Sequence, residues 1–413
     1  MNIIYSGNLQ ESNMQIDIQR KIDQILGAFI CRCLSFFYYP FANRADKART
    51  DKILVILLSE MGSLVLSSHM FEYLKAQYPN ASLYLLTLER NKEVVDLLGH
   101  VPRENLLTIN DTSLVTFCLG CVQTLMALRK EGIDTVIDCE LFSRISSLFS
   151  FLSGARTRVG FHRYTQEGLY RGNFINRKVL YNPYRHISKQ FITLVDAINS
   201  TTIPKAKKPA THHTYYLPKL KISDHDSSKM LDRLKKDYSY STLKKMVLIY
   251  PSGGLLSIRA WPRDYFVQVA KFFLKKGYAV GVIGLEQDRP LGKLITGQCN
   301  SADCINLAGY TKTIKELLTI LNIACLLITN DGGPGHFAAL ARIPTITLFG
   351  PETPVLYGSL SPNAINLFSQ VNCSPCVTAY NHRKTPCNGD NVCLKLITPE
   401  DVIAKALNLL ADM

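Results

Sequence analysis

The sequence predicts an α/β protein built from two doubly wound parallel sheets. Three observations carry that prediction. Short, unbroken apolar runs of the buried-strand type alternate with longer runs of helical pattern. The alternation comes in two series, separated by a basic, proline-containing stretch at residues 201–245. The chain also has 413 residues, more than one hydrophobic core usually supports, and 47% of them are apolar against 19% charged. That composition excludes a disordered or collagen-like chain. Twelve cysteines are too dilute for a disulfide scaffold. With 47 Lys+Arg against 33 Asp+Glu, the formal charge of +14 favours anionic partners such as phosphorylated small molecules or an anionic membrane face.

Residues 1–50 form an N-terminal extension. The stretch up to Lys21 is polar and mixed in charge, and no small-residue cleavage site follows the apolar run, so it does not read as a secretory signal. From Ile25 to Phe41 the chain is apolar and aromatic apart from Arg32 and Ser35. This is shorter than the ~20 residues a spanning helix needs, and it carries a cation in its middle. Tyr38 and Tyr39 close the run, and Arg44, Lys47 and Arg49 follow. The pattern suits an amphipathic helix lying in the headgroup plane of an anionic leaflet, and equally a helix buried against the main body.

Residues 51–200 read as the first α/β series. Ile53–Leu58 (ILVILL) is a buried strand by its unbroken apolarity, and a loop and helix follow to Tyr78-Pro79. Ser82–Leu88 is the next strand. Residues 114–130 are helical, Asp134–Cys139 is a strand, and a helix runs on to Leu152. Residues 201–245 change in texture to KAKKPATHH and KLKIS, with a charged surface helix over Ser227–Tyr238, and read as a linker. Residues 246–413 hold the second series. Its strands are MVLIYP, YAVGVIG, ACLLIT and TITLFG, its helices start near Arg263, Lys312 and Gly335, and a last helix spans Pro399–Leu410. No 20–50-residue repeat is visible. Two such halves are expected to face a cleft with the carboxyl ends of their strands.

Phosphate loops of the G-x-x-x-x-G-K-[ST] and G-x-G-x-x-G types are absent, as are H-E-x-x-H and a legible Ser-His-Asp set. The informative unit is Ala324–Ala341, ACLLITNDGGPGHFAALA. Asp331 is expected to cap the helix, Gly332 and Gly333 to supply special backbone angles, and Pro334 to sit in the first turn. The bared N–H groups there are expected to form a site for a phosphate, with His336 on the same turn, unless D-G-G-P merely links strand to helix. Two further turns open helices at strand ends. Leu57–Ser68 is one, and Met246–Pro262 brings Ser252, Gly253, Gly254 and Arg259 to the other.

The segments ILVILLSEMG, VIDCELFSR, LSGARTRVGFHR, IRAWP, ITNDGGPGHFAALARIPTITLFGPETP and CSPC…ITPEDV resemble glycosyltransferase family 9, the bacterial heptosyltransferases of lipopolysaccharide core synthesis. The resemblance covers about residues 52–410, and the D-x-G-x-x-H block is its most specific part. It implies a GT-B fold: a first Rossmann-like domain binding acceptor and a second binding nucleotide-sugar. It places Asp331, Gly332, Gly333 and His336 in the donor site, Ser252 and Arg259 on the donor diphosphate, and Gly309 near the adenine pocket. Arg259 stands where the family usually has Lys. The implied reaction is an inverting transfer of heptose from an ADP-type donor to a lipopolysaccharide core or related glycolipid. It requires no cofactor and takes place on the cytoplasmic face of the inner membrane. A different nucleotide-sugar is the alternative donor.

The family's turn usually reads S-x-x-G-D with the Asp as general base, and Ser63 occupies that position here. Serine cannot take a proton unaided at neutral pH, so Glu60, three residues earlier, is the expected substitute. Two other readings stay open: Glu60 as a helix-start charge, or a degraded site that binds without transfer. Arg156, Arg158, Arg163 and Arg171 beside His162 are expected to meet acceptor phosphates, with His186 also near acceptor. Cys373, Cys376, Cys387 and Cys393 are compatible with a structural zinc or iron–sulfur site, although reduced thiols fit the spacing as well. Cys118 and Cys121 are expected in the core. No aromatic-interleaved basic patch or recognition motif supports nucleic-acid binding.

Overall fold

Each half of the chain forms a six-stranded, all-parallel sheet, and both sheets have the same topology. The computed structural model describes residues 21–38, 49–58, 60–141, 143–164, 166, 170–209, 217–238, 245–380 and 384–411. Two compact units divide it, residues 1–216 and 217–413. In the first, a π-helical turn (Asp23–Gly27) leads into α1 (Ala28–Tyr38), β1 (Lys52–Ile56), α2 (Met61–Leu66), α3 (Ser68–Gln77), β2 (Ser82–Leu88), α4 (Lys92–Leu98), β3 (Leu106–Ile109), α5 (Leu114–Glu131), β4 (Thr135–Asp138), α6 (Arg144–Leu152), β5 (Thr157–His162), β6 (Arg177–Leu180) and α7 (Ile187–Ala197). The second unit begins with α8 (Asp224–Tyr238). It continues through β7 (Met246–Tyr250), α9 (Arg263–Lys275), β8 (Ala279–Gly284), α10 (Arg289–Cys299), β9 (Cys304–Ala308), α11 (Ile314–Ile323), β10 (Leu326–Asn330), α12 (Gly333–Ala341), β11 (Thr345–Phe349), α13 (Pro354–Tyr357), β12 (Ala364–Phe368), α14 (Val392–Lys395) and α15 (Pro399–Ala411).

The strand orders are β3-β2-β1-β4-β5-β6 and β12-β11-β10-β7-β8-β9. Numbered within its own unit, the second order is the first read backwards, so each is a doubly wound Rossmann-like sheet. The order reverses between β1 and β4, where Ile56 pairs with Asp138, and between β7 and β10, where Thr329 pairs with Tyr250. In such sheets a ligand crevice opens outside the carboxyl ends at the reversal. The α/β expectation therefore holds in both halves. The sequence reading passed over β3, β5, β6, β9 and β12. Most of these are sheet edges of four or five residues whose side chains are only half-buried, so they lack an unbroken apolar run.

The expected linker is shorter than its texture suggested. The charged helix α8 belongs to the second unit and buries Met230 and Leu234. The helix expected over Ser227–Tyr238 is present, but its inner stripe is apolar and its charged outer residues had suggested a linker. Around β7 and β10, the single tryptophan, Trp261, is 1% exposed and meets Phe266 edge-to-face at 5.0 Å. Its indole N–H donates to the carbonyls of Leu394 (3.1 Å) and Ile397 (2.9 Å), so its one polar atom is satisfied inside the core.

In the first unit, α5 and α6 cover one sheet face. Phe117, Cys121, Leu125 and Leu128 of α5 and Ile145 and Phe149 of α6 share a cluster with Leu54, Ile56, Leu86 and Val136. Cys121 thus packs on the core as expected, whereas Cys118 is exposed because α5 turns it outward. The apolar N-terminal run is a helix docked on α6. Its contact face carries Gly27, Cys31 and Ser35, small residues four apart that let the helices approach closely. A Cβ at Gly27 would stand 3.1 Å from Cβ of Arg144. The Asp23 carboxylate accepts from the backbone N–H groups of Arg144 and Ile145, both at 3.0 Å, and pairs with the Arg144 guanidinium. Tyr39, Phe41, Arg44 and Lys47 lie outside the described residues.

On the other face His100 stacks on Phe71, with centroids 4.3 Å apart. Its Nε2–H donates to the Leu64 carbonyl at 3.1 Å. Burial pushes its pKa down to about 4, from 6.5. A neutral buried imidazole stabilises the fold fully above pH 6.5, and that contribution is lost as pH falls through about 4, because the unfolded chain binds the proton first. The difference is worth about 3 kcal/mol. Urea unfolding of the wild type should therefore lose more stability between pH 7 and 4.5 than His100→Phe loses. Parallel pH slopes would show that His100 is not the source.

Candidate active site

The reversal between β7 and β10 brings together a set of buried polar side chains. Asn330, at the end of β10, is buried and faces the loop after β7. Its Nδ2 donates to the Ser252 carbonyl (3.1 Å), and its Oδ1 accepts from the Trp261 backbone N–H (3.0 Å). Asn391 adds a third tie by donating to the Ile258 carbonyl at 2.6 Å. Residues 252–261 are thereby pinned against β10. The loop needs its glycines: Gly254 has φ +61°, and a Cβ on Gly253 would stand 2.6 Å from the Leu256 carbonyl oxygen.

That pinned loop delivers Arg259 to two carboxylates. Its Nε lies 3.5 Å from Asp331 Oδ2, and Nη2 donates to Glu352. All three are largely buried, with Glu352 only 4% exposed. Glu352 was not singled out from sequence. Its signal was an acid just past the carboxyl end of β11, in the segment GPETP, equivalent in place to Asp331 beyond β10. The expected diphosphate contact of Arg259 thus meets a guanidinium already engaged by two acids, so an arriving phosphate must share it.

The helix start differs from expectation in two respects. Gly332, not Asp331, is the cap residue of α12, and it is extended at φ 173°, a conformation open to any residue. Gly333 is the first helical residue, and a Cβ there would come no nearer than 3.8 Å to Phe337. Asp331 is not a cap because Arg259 holds it, while its backbone N–H donates to the Leu348 carbonyl at 3.0 Å. Pro334 lies in the first turn as expected. His336 follows it, half-buried. Ser252 is buried, and its Oγ accepts from the Gly254 N–H at 3.1 Å. Gly309 ends β9 in a left-handed conformation, φ +72°, with the backbone of Glu286 so close that a Cβ would stand 2.9 Å from its Cα. Glu286, which also pairs with Lys312 at 3.6 Å, is a second acid that sequence reading did not mark.

In the first unit, the reversal between β1 and β4 holds Glu60 and Ser63. Glu60 takes the cap position of α2 (φ −124°, ψ 134°) without a side-chain capping bond, and its carbonyl accepts from Ser63 N at 3.0 Å. Both side chains are half-buried. Beside them Glu140, unmarked by sequence, accepts from the Leu58 N–H at 2.7 Å and so joins the ends of β1 and β4.

The arginine-rich segment divides in two. Arg158 and Arg171 are buried, contrary to the acceptor-facing expectation. Arg158 donates to the carbonyls of Phe174 (2.6 Å) and Ala155, and Arg171 pairs with the fully buried Asp138. Arg156 and Arg163 are exposed, Arg163 over the Tyr170 ring at 5.5 Å. His162 is half-buried, and burial with nearby Lys178, Arg163 and Arg171 pushes its pKa down to about 4. His186 caps α7, its Nδ1 accepting from Ser188 N at 3.3 Å, so a structural duty accounts for its place. Cys373 and Cys387 are exposed, Cys376 is half-buried, and Cys393 is buried against Gly350. Burial and the nearby Cys376, Cys373 and Cys387 raise the Cys393 pKa, and among the described residues no three His, Cys, Asp or Glu side chains are placed to hold a metal ion.

Comparison with known proteins converges on one family. The family model for glycosyltransferase family 9 (heptosyltransferase) matches residues 122–385, more than half of the chain. The chain is 25% identical over 376 residues to lipopolysaccharide heptosyltransferase 2 of Salmonella typhimurium, covering 87% of this chain and 99% of that protein. It is also 25% identical over 322 residues to lipooligosaccharide heptosyltransferase 2 of Haemophilus influenzae, covering 76% and 87% respectively. Among solved structures, the ADP-heptose lipopolysaccharide heptosyltransferase II of E. coli superimposes with a TM-score of 0.66 at 23% identity, covering 87% of this chain and 99% of that one. A family 9 protein from Veillonella parvula gives 0.67 at 19%, with 89% and 99% covered. The fold is that of these GT-B enzymes, two Rossmann-like units in one chain. The chain belongs to glycosyltransferase family 9, the heptosyltransferases.

Proposed function

We propose that the protein transfers a heptose from an ADP-linked donor to a lipopolysaccharide-core or related glycolipid acceptor with inversion at the anomeric carbon. The observation that carries this reading is the buried Arg259–Asp331–Glu352 set beside the first turn of α12. As the sugar–phosphate bond breaks, negative charge grows on the diphosphate. A guanidinium and a helix N-terminus placed at that charge stabilise it more in the transition state than in the bound donor. Glu352 orients the guanidinium, and Asp331 lies where a sugar or phosphate group enters. Ser252 and the Gly253–Gly254 turn offer further donors, and Gly309 lets the chain pass close to the nucleoside. Acceptor is read onto the first unit, where Arg163 is exposed for an acceptor phosphate and Glu60 takes the hydroxyl proton.

The test is ADP release from ADP-heptose with a heptose-deficient core acceptor, run beside UDP- and GDP-sugars. Release with the ADP donor alone supports the reading. Release with another nucleotide-sugar moves the donor assignment. Tight donor binding with no product from any pairing would support a degraded, binding-only protein, the reading that Ser63 in place of the family's Asp favours. Glu352→Gln is expected to weaken donor affinity about tenfold, because the neutral amide holds the guanidinium less firmly. Calorimetric titration with ADP measures it, and unchanged affinity would remove Glu352 from the donor site.

A further inference from the structure

We propose that the helical layer on one face of the first unit's sheet docks on an anionic lipid surface, and that α5 is a contact element alongside α1. This rests on the proposed glycolipid acceptor and deepens it by naming the surface on which the enzyme would meet it. Scattered exposed hydrophobics are ordinary, whereas a continuous stripe of them is not. On α5, Val115, Leu119, Val122 and Met126 recur at i, i+4, i+7 and i+11, and each is 55–68% exposed. On α1 and the turn before it, Ile25, Phe29, Arg32 and Phe36 repeat that spacing, with Ile25 and Phe29 75% and 62% exposed. At 1.5 Å per residue each stripe is roughly 16 Å long.

The two stripes lie on the same side of the sheet. Both α5 and α6 pack on one sheet face, α1 docks on α6, and the Arg129 Nε–H at the end of α5 donates to the Leu152 carbonyl at the end of α6. The inner faces are committed to that packing, leaving the apolar outer faces to solvent. No helix among the described residues is long and apolar enough to cross a membrane, so these lie on a surface rather than span it.

Charge selects the occupant. Among the described residues, the exposed cations beside the stripes include Lys21, Arg32, Arg129 and Lys130. The acids of these helices are turned to other duties: Asp23 pairs with Arg144, and Glu131 bonds Lys52 and Tyr84. An apolar face edged by cations complements anionic headgroups, into which long basic side chains extend while their stems stay in apolar contact.

The test uses the full chain and phosphatidylcholine vesicles with and without phosphatidylglycerol, read by co-sedimentation. Wild type should bind the anionic vesicles and bind neutral ones more weakly. Leu119→Glu with Val122→Glu should lower vesicle affinity at least about tenfold, since two apolar contacts are lost and two repelling charges added. Phe29→Glu should act in the same direction. All substituted positions are on the surface, so circular dichroism and transfer to a deacylated, water-soluble acceptor should be unchanged. Wild-type indifference to anionic vesicles, or full binding by the α5 variant, would overturn the proposal. So would an α5 variant that only converts a dimer to a monomer in sedimentation, since the face would then belong to a second copy. Vesicle binding is read without turnover, so its outcome stands even if the transfer reaction proves to be a different one.

Discussion

Glu60→Gln is expected to lower transfer by about 10²–10⁴-fold while donor affinity stays unchanged. The acceptor hydroxyl must lose a proton as it attacks, and Ser63, at the position where the family resemblance leads one to expect a carboxylate, cannot take it unaided. Glu60 is the acid on that same turn. It sits in extended conformation at the cap of α2 and is half-buried, yet its carboxylate makes no capping bond. A cap assignment would explain the residue as helix stabilisation, but a six-residue helix offers little dipole to reward it. The adjacent strand end is held in place, because Leu58 N donates to Glu140 two residues before Glu60. Glutamine keeps size and hydrogen bonding and removes only basicity. Initial rates with saturating donor, together with calorimetric donor binding, separate the two effects. Turnover equal to wild type would end the base assignment.

Arg171→Met is expected to cost about 3–5 kcal/mol of stability. The guanidinium is 2% exposed and the Asp138 carboxylate fully buried. Besides that pair, Arg171 donates to the Glu140 carbonyl (2.7 Å) and to Ser146 Oγ (3.0 Å), while Asp138 Oδ1 accepts from Glu140 N at 3.1 Å. Methionine fills much of the volume and leaves the carboxylate without its cation. Burial already raises the Asp138 pKa from 3.8 to about 6, against the opposing pull of Arg171. A raised carboxyl pKa means that protonation favours the fold. Its contribution is fully present below pH 3.8 and is lost as pH rises through about 6. The variant's deficit should therefore be larger at pH 7.5 than at pH 5, where a protonated Asp138 needs no counter-ion. Denaturant unfolding at both values measures it. A deficit below about 1 kcal/mol, or one independent of pH, would show that the pair does not hold this corner.

These two predictions rest on residues of different legibility. Glu60 could be read because the turn LLSEMGS is local: strand, acid, glycine and helix follow within a few positions. Asp331 and Arg259 were legible as strand-end residues, yet their partner was not. Glu352 lies 93 residues from Arg259 in the chain and enters only because β10 and β11 are neighbours. The same distance effect misassigned Arg158 and Arg171. In a loop dense with arginine, sequence gives all four side chains the same standing. Burial of Asp138 then draws Arg171 inward, and carbonyls of the neighbouring segments draw in Arg158.

By itself the sequence determined the alternation of strand and helix, the division into two α/β halves, the strand–turn–helix unit around Asp331 and the kinship carried by those segments. Each is written in periodicity or in contiguous residues, where local backbone sterics and the burial pattern act. Only the tertiary structure decided which charges pair, which arginines are interior, that Gly332 rather than Asp331 starts α12, and that α8 joins the second unit. It also decided that this N-terminal run docks by Gly27, Cys31 and Ser35 and turns Ile25, Phe29 and Phe36 outward. The physical reason is that ion pairing and desolvation depend on distance in space. A doubly wound sheet brings together strand ends that the sequence keeps far apart.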